Sequence, residues 1–216
     1  MNIILFGPPG AGKGTQADNL TKDLKLVKVS TGELLREEIK KKTTLGKEIK
    51  SIIDQGLLVS NQITNSLIET MLSRNDYANR FIFDGYPRNI EQARNLDDLL
   101  KKYNQKISCV LGLKVDKEII VKRILGRQTC SKCGLIFNKF FNPPNKNNYQ
   151  CNLDHLKTRS DDNEQTIRNR FETFFKDTIP IINYYQKQNL MIDVNGMGEI
   201  QQIYKEIRQI IDSLDT

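Results

Sequence analysis

The chain has 216 residues, 38% of them hydrophobic and 27% charged, with a net charge of +7 at pH 7. That composition suits a globular unit of one to two domains, able to hide about 70% of its unfolded surface. It excludes a membrane-spanning helix, since no apolar run nears the roughly 20 residues required, and four cysteines are too few for a disulfide scaffold of this length. The basic balance allows nucleic acid, anionic lipid or phosphorylated small molecules as partners. Stretches such as 36–42 mix both signs, however, as a solvated helix does. Because a strand pattern begins at the N-terminus with no targeting segment before it, a cytoplasmic setting is expected.

Apolar strand-sized runs occupy residues 2–6, 27–29, 80–84, 108–114 and 190–194. Helix-period segments lie at 13–24, 31–41, 90–103, 116–125, 163–188 and 199–213. Short apolar strands alternating with helices imply parallel crossovers, hence a three-layer α/β/α sandwich on a five-stranded parallel sheet. Two stretches break the alternation. Residues 30–59 insert helical sequence between the second and third strands. Residues 126–162, rich in Cys, Phe and Pro, are too long for a plain loop. Both are expected to be mobile insertions on a core made of 1–29, 60–125 and 163–216.

The strongest motif is Gly7-Pro8-Pro9-Gly10-Ala11-Gly12-Lys13-Gly14-Thr15, placed between a strand and a helix as a P-loop must be. Glycines let backbone N–H groups turn inward around phosphate oxygens, the helix N-terminus adds positive potential, and Lys13 reaches the β- and γ-phosphates. Gly14 displaces the usual Ser/Thr by one position to Thr15, which makes Thr15 a less direct magnesium ligand. Asp84 ends the apolar strand 80–84, where P-loop proteins hold the magnesium shell.

Further motifs follow in order: Ser30-Thr31-Gly32-Glu33-Leu34-Leu35-Arg36, Gly56-Leu57-Leu58-Val59, and Asp84-Gly85-Tyr86-Pro87-Arg88 with Gln92 beyond it. Asp161-Asp162-Asn163-Glu164 and Asn195-Gly196 come near the end. Together with the P-loop, over essentially the whole chain, they resemble the adenylate kinase family. Taken alone, Arg36 reads as one more charge on a mixed helix and Gln92 as a solvated helix position.

The resemblance implies reversible, Mg2+-dependent transfer of the γ-phosphate of ATP to AMP, giving two ADP, in adenine nucleotide homeostasis. It implies that Gly10, Ala11, Gly12, Lys13, Gly14 and Thr15 cradle ATP, with Arg123, Arg127, Ile136, Phe137 and Gly198 also on ATP. It places AMP on Thr31, Arg36, Leu57, Leu58, Val59, Gly85, Tyr86, Pro87, Arg88 and Gln92, with Arg159 and Arg170 reaching AMP and the transferring phosphate. The catalytic group so implied is Lys13, Arg88, Arg123, Arg127, Arg159 and Arg170. Planar guanidinium groups suit a phosphate dianion, and phosphoryl transfer asks for cations from several directions. No general base is expected, since the AMP phosphate is already an anionic nucleophile.

Cys130 and Cys133 form a CxxC knuckle, and Cys151 pairs with Asp154 in the same spacing. Two such knuckles read as a structural tetrahedral zinc site. Asp154 stands where a fourth cysteine would complete it. His155, the one histidine in the chain, competes for that place, and the zinc-carrying long-lid adenylate kinases, which this segment resembles, favour Asp154. Cys109 lies in a strand and reads as core. Two rival functions remain: a nucleoside monophosphate kinase acting on UMP/CMP or GMP, and a nucleic-acid module using the knuckles. No basic stripe interleaved with aromatics supports the second. The expected partners are therefore ATP, AMP and ADP, with no nucleic acid or membrane, and the expected state is a monomer.

Overall fold

Five strands, β1 (Ile3–Phe6), β2 (Val27–Ser30), β3 (Phe81–Asp84), β4 (Cys109–Lys114) and β8 (Met191–Asn195), pair in the order β2-β3-β1-β4-β8. Every ladder is parallel, with Ile3 beside Ile82 on one side and Cys109 on the other. The computed structural model describes residues 1–214, the side chain of Asn75 apart. Strand β1 shows why its residues are apolar without interruption: Ile3 and Leu5 face one layer, Ile4 and Phe6 the other, and all four are buried. On the first face lie α1 (Lys13–Leu24) and α9 (Ile200–Leu214), through Ala17, Leu20, Ile203, Ile207 and Ile211. On the second lie α4 (Asn61–Leu72), α5 (Ile90–Lys102) and α8 (Pro180–Gln186), through Ile68, Leu96 and Ile181. The three-layer sandwich expected from the sequence is the observed architecture.

Helix α4 is not among the elements expected from the sequence. The Ser60 hydroxyl accepts from the Ile63 N–H at its start, and Thr64, Ile68 and Leu72 are buried four residues apart. The single helix expected over 163–188 is three pieces: α7 (Glu164–Thr173), a π-helical turn (Phe174–Thr178) and α8. Pro180 has no N–H to give the Lys176 carbonyl, and the Ile179 N–H instead reaches the Phe174 carbonyl at 2.9 Å, the i→i+5 bond of a π-turn.

Each expected insertion has its own apolar cluster. Helices α2 (Thr31–Lys40) and α3 (Thr44–Asp54) enclose Leu35, Ile49 and Val59. Past α6 (Lys117–Leu125), β5 (Arg127–Cys130), β6 (Ile136–Asn138) and β7 (Leu156–Lys157) form an antiparallel sheet in the order β6-β5-β7. It covers Cys130, Phe137 and Tyr149. The α2–α3 insertion is tied to α7: the Thr166 hydroxyl donates to the Asp54 carbonyl at 2.7 Å and the Asn169 amide to the Gln55 carbonyl at 2.8 Å.

Candidate functional site

The carboxyl ends of β1, β2 and β3 open on a cleft of about 730 Å3. The loop after β1 lines its floor and ends in the first turn of α1. Gly10 has φ +81°, and a Cβ there would lie 2.7 Å from Cγ1 of Ile124, so this turn admits only glycine. Gly14 explains the departure from the general P-loop pattern. A Cβ at Gly14 would stand 3.3 Å from Oδ2 of Asp84, so the small residue lets that carboxylate approach the helix start. Ser30 holds the same oxygen, its hydroxyl donating at 3.3 Å.

Lys13 Nζ donates to the carbonyls of Gly7 and Pro8 at 2.7 and 2.9 Å. Burial lowers its pKa to about 8; Asp84 opposes the shift, while Arg88, Arg127 and Arg170 add to it. The cations are crowded. Lys13, Arg36, Arg88, Arg123, Arg127, Arg159 and Arg170 all line the cleft, against four acids, Glu33, Asp84, Asp161 and Glu199. Burial, reinforced by the neighbouring guanidinium groups, brings Arg159 and Arg170 down to about 9. Strongly perturbed cations grouped in one cleft mark it as the candidate functional site.

The arginines are positioned individually. Arg127 makes a bidentate pair with Asp162, Nε to Oδ2 at 2.8 Å. Arg170 pairs with Asp161 and lies 3.6 Å from Asp162. Arg123 donates to the Ala11 carbonyl at 3.4 Å and sits 5.6 Å over the Phe141 ring. Arg88 Nε donates to the Gly85 carbonyl at 2.7 Å. Arg159 makes no ion pair among the described residues. Asp161 and Asp162, quoted from the sequence only within a motif, are buried partners in the site. Arg127 and Asp162 are 35 residues apart, a distance at which no local pattern reveals a pair.

Gly10, Ala11, Gly12 and Thr15 line one part of the cleft, and Ile136, Phe137 and Gly198 line it as well. Leu57, Leu58, Val59, Gly85 and Pro87 line the wall formed by the insertion and the loop after β3. A small side pocket of about 10 Å3, the space of one water, is bordered by Thr31, Leu58, Val59, Gly85, Arg88 and Gln92. Gln92 is buried rather than solvated. Its Oε1 accepts from the Arg88 N–H at 2.8 Å, and its Nε2 donates to Asn61 at 2.9 Å and Thr64 at 3.2 Å. The Thr31 hydroxyl donates to the Gly85 carbonyl at 2.7 Å. Tyr86, expected on AMP, has its ring buried in the main core and its hydroxyl bonded to Asn65 and Asn95, between Gly85 and Pro87 of the wall.

In the small sheet, the sulfurs of Cys130, Cys133 and Cys151 lie within 4.8 Å of one another. Tetrahedral zinc with Zn–S bonds of about 2.3 Å needs ligand atoms roughly 3.8 Å apart, so these three thiols fit the metal. The N–H groups of Lys132 and Cys133 both point at the Cys130 sulfur from 3.4 Å. Burial pushes the Cys130 thiol up, but these bonds and one from the Tyr149 hydroxyl outweigh it and bring it down to about 6. Asp154 and His155 sit on a 3-10 turn beside Cys151, with Asp154 exposed; their ligand atoms are outside the sulfur cluster.

A P-loop opening the first helix of a parallel sheet, with an acid ending the adjacent strand and cations converging above, defines a P-loop phosphotransferase. Residues 5–190 match the model of the adenylate kinase family. The chain is 46% identical to an adenylate kinase of Pelagibacter ubique, over 98% of this chain and 99% of that one. It is 39% identical to an adenylate kinase of Archaeoglobus fulgidus and 38% identical to one of Bacillus subtilis, each over 99% of both chains. The chain belongs to the adenylate kinase family, whose enzymes move a phosphate from ATP to AMP.

Proposed function

We propose that ATP lies along the P-loop toward Ile136, Phe137 and Gly198, that AMP lies against Thr31, Leu57–Val59, Arg88 and Gln92, and that their phosphates meet among the cations. The observation that carries this reading is the convergence of Lys13 and six arginines on one cleft between the P-loop and the α2–α3 insertion. Arg36 and Arg88 grip the AMP phosphate by bidentate bonding. An AMP phosphate oxygen attacks the γ-phosphorus in line, and the bond to the β-γ bridging oxygen breaks, leaving ADP on both sides. Lys13, Arg123, Arg127, Arg159 and Arg170 neutralise the charge spread over the moving group. No side chain has to take a proton. Water is the competing acceptor, and movement of residues 30–59 and 126–162 over bound substrates excludes it. Since all these groups come from one chain, a monomer suffices. A cytoplasmic setting belongs to the same proposal; no helix of the described residues is long and apolar enough to cross a membrane.

Magnesium accompanies ATP in this family and would supply charge neutralisation to the transferring phosphate. Asp84 is the residue to hold its shell, because its carboxylate faces the first turn of α1 across Gly14. An acceptor screen with ATP, Mg2+ and each of AMP, GMP, CMP and UMP tests the assignment: AMP is expected to lead by orders of magnitude, and equal use of UMP or GMP would overturn it.

Two predictions follow from the binding reading. Gln92→Leu is expected to raise the AMP KM about tenfold and loosen selection among monophosphates, since a buried hydrogen-bonding edge discriminates better than shape. Steady-state kinetics with unchanged AMP selectivity would remove Gln92 from the base site. For the metal, Cys130, Cys133 and Cys151 hold zinc with Asp154 in fourth place. Purified protein is expected to carry about one zinc per chain, and chelation to lower the thermal midpoint more than the turnover at room temperature, because the sheet clamped by the metal has only a small core. Asp154→Ala should lose metal faster than His155→Ala; the reverse order would exchange the fourth ligand.

A further inference from the structure

Arg88 is fixed at both polar atoms of its backbone. Its N–H is held by Gln92, as described, and its carbonyl accepts from the Thr178 hydroxyl at 2.8 Å. Its side chain is tethered separately, through Nε, to the Gly85 carbonyl. Thr178 is 90 residues away in sequence, is 7% exposed, and borders the cleft.

The π-turn explains how Thr178 arrives there. One extra residue in a helical turn rotates everything after it by about 100°, so a regular helix through 174–178 would point the threonine elsewhere. Two features hold the turn: the Ile179 N–H bonded to the Phe174 carbonyl, and the Phe174 ring packed 5.8 Å from Phe6 at the end of β1. Pro180 prevents the regular ladder from closing over it. The same continuous segment carries Arg170 eight residues earlier, so the backbone of Arg88 is referenced to the helix that bears Arg170. Short π-turns recur where a side chain has to be aimed.

We infer that Thr178 is a positioning residue for phosphoryl transfer: by holding the Arg88 carbonyl from the π-turn, it sets where the Arg88 guanidinium meets the acceptor phosphate. This rests on the reading that Arg88 binds that phosphate. The hydroxyl matters as a donor, so serine serves and valine does not.

The experiment measures AMP and ATP KM separately, with thermal melts, for Thr178→Val, Thr178→Ala and Thr178→Ser. Expected for Thr178→Val is an AMP KM about fivefold higher, the size of one lost neutral hydrogen bond, with the ATP KM unchanged. Thr178→Ser should return the AMP KM to within about twofold of wild type. Thr178→Ala removes the donor without adding bulk and gives the same result if the valine variant does not fold. Combined with Arg88→Ala, the Thr178 change should add nothing to the AMP KM. An AMP KM that stays at the wild-type value in Thr178→Val or Thr178→Ala overturns the inference. So does a joint rise of both KM values with a lowered melting point, which is the mark of a structural role alone. If Arg88→Ala itself leaves AMP kinetics normal, the phosphate reading of Arg88 fails first. If Arg88→Ala cripples the enzyme while the Thr178 variants match wild type, only the positioning role fails.

Discussion

Replacing Lys13 with methionine is expected to leave a folded protein whose turnover has dropped by about a thousandfold, the upper range for removing one preorganised charge from a transition state. Lys13 sits at the first turn of α1 and its ammonium bonds the Gly7 and Pro8 carbonyls, backbone groups of the loop itself. Its aliphatic stem is replaced in methionine and its charge is not. A coupled ADP assay beside a circular dichroism melt separates the two effects, and near-normal turnover would mean the P-loop has been misread. Stability carries a second signature. The folded-state pKa is about 8, against 10.5 for the free side chain. Between those values the unfolded chain still holds the proton and the native state has released it, so wild-type stability rises with pH across that window. The methionine variant lacks this contribution. Wild type should therefore gain stability relative to Lys13→Met as pH rises from about 8 toward 10.5; a gain confined to lower pH would contradict the assigned shift.

Arg159→Met is expected to split activity from stability in the opposite sense to most buried substitutions. Arg159 makes no ion pair among the described residues. Burial, with Arg127 and Arg36 nearby, holds its guanidinium down at about 9. Removing it relieves repulsion without orphaning a carboxylate, so the thermal midpoint of the substrate-free protein should stay level or rise. Turnover should fall by about a hundredfold or more, because the proposed function places this cation on the moving phosphate. The conflict is the familiar one between a charged site and a stable fold. A melting point lowered by several degrees (on the order of 1 kcal/mol or more) would show that Arg159 is held by contacts rather than tolerated.

The parts of this site that could be read from the sequence are those written in contiguous residues. The loop after β1 demands glycine for steric reasons and lysine for electrostatic ones, and α1 begins and ends at the expected Lys13 and Leu24. The sheet was legible because its central strands β1, β3 and β4 are apolar on both faces. Other features depend on residues far apart in the chain. Strands β5, β6 and β7 are four, three and two residues long, too short for alternation to register. Helix α4 opens with Asn61, Gln62, Thr64 and Asn65, a polar run that hides its four-residue burial spacing. The π-turn needs Pro180 and the packing of Phe174 on Phe6 together. Tyr86 belongs to a motif that specifies the turn, whereas the side on which the ring falls is decided by Asn65 and Asn95.

The order of the cations along the chain has a consequence during synthesis. Lys13 emerges from the ribosome with the first helix, but Arg159 and Arg170 follow only after strands β2, β3 and β4 and the small sheet. Strand β8, which lies at the edge of the sheet beside β4, and α9, which packs on α1, come later still. A nascent chain thus exposes a P-loop long before it owns the cations that complete the lining of the cleft. A chain halted before Arg159 carries the P-loop without two of the cations that line the cleft opposite it.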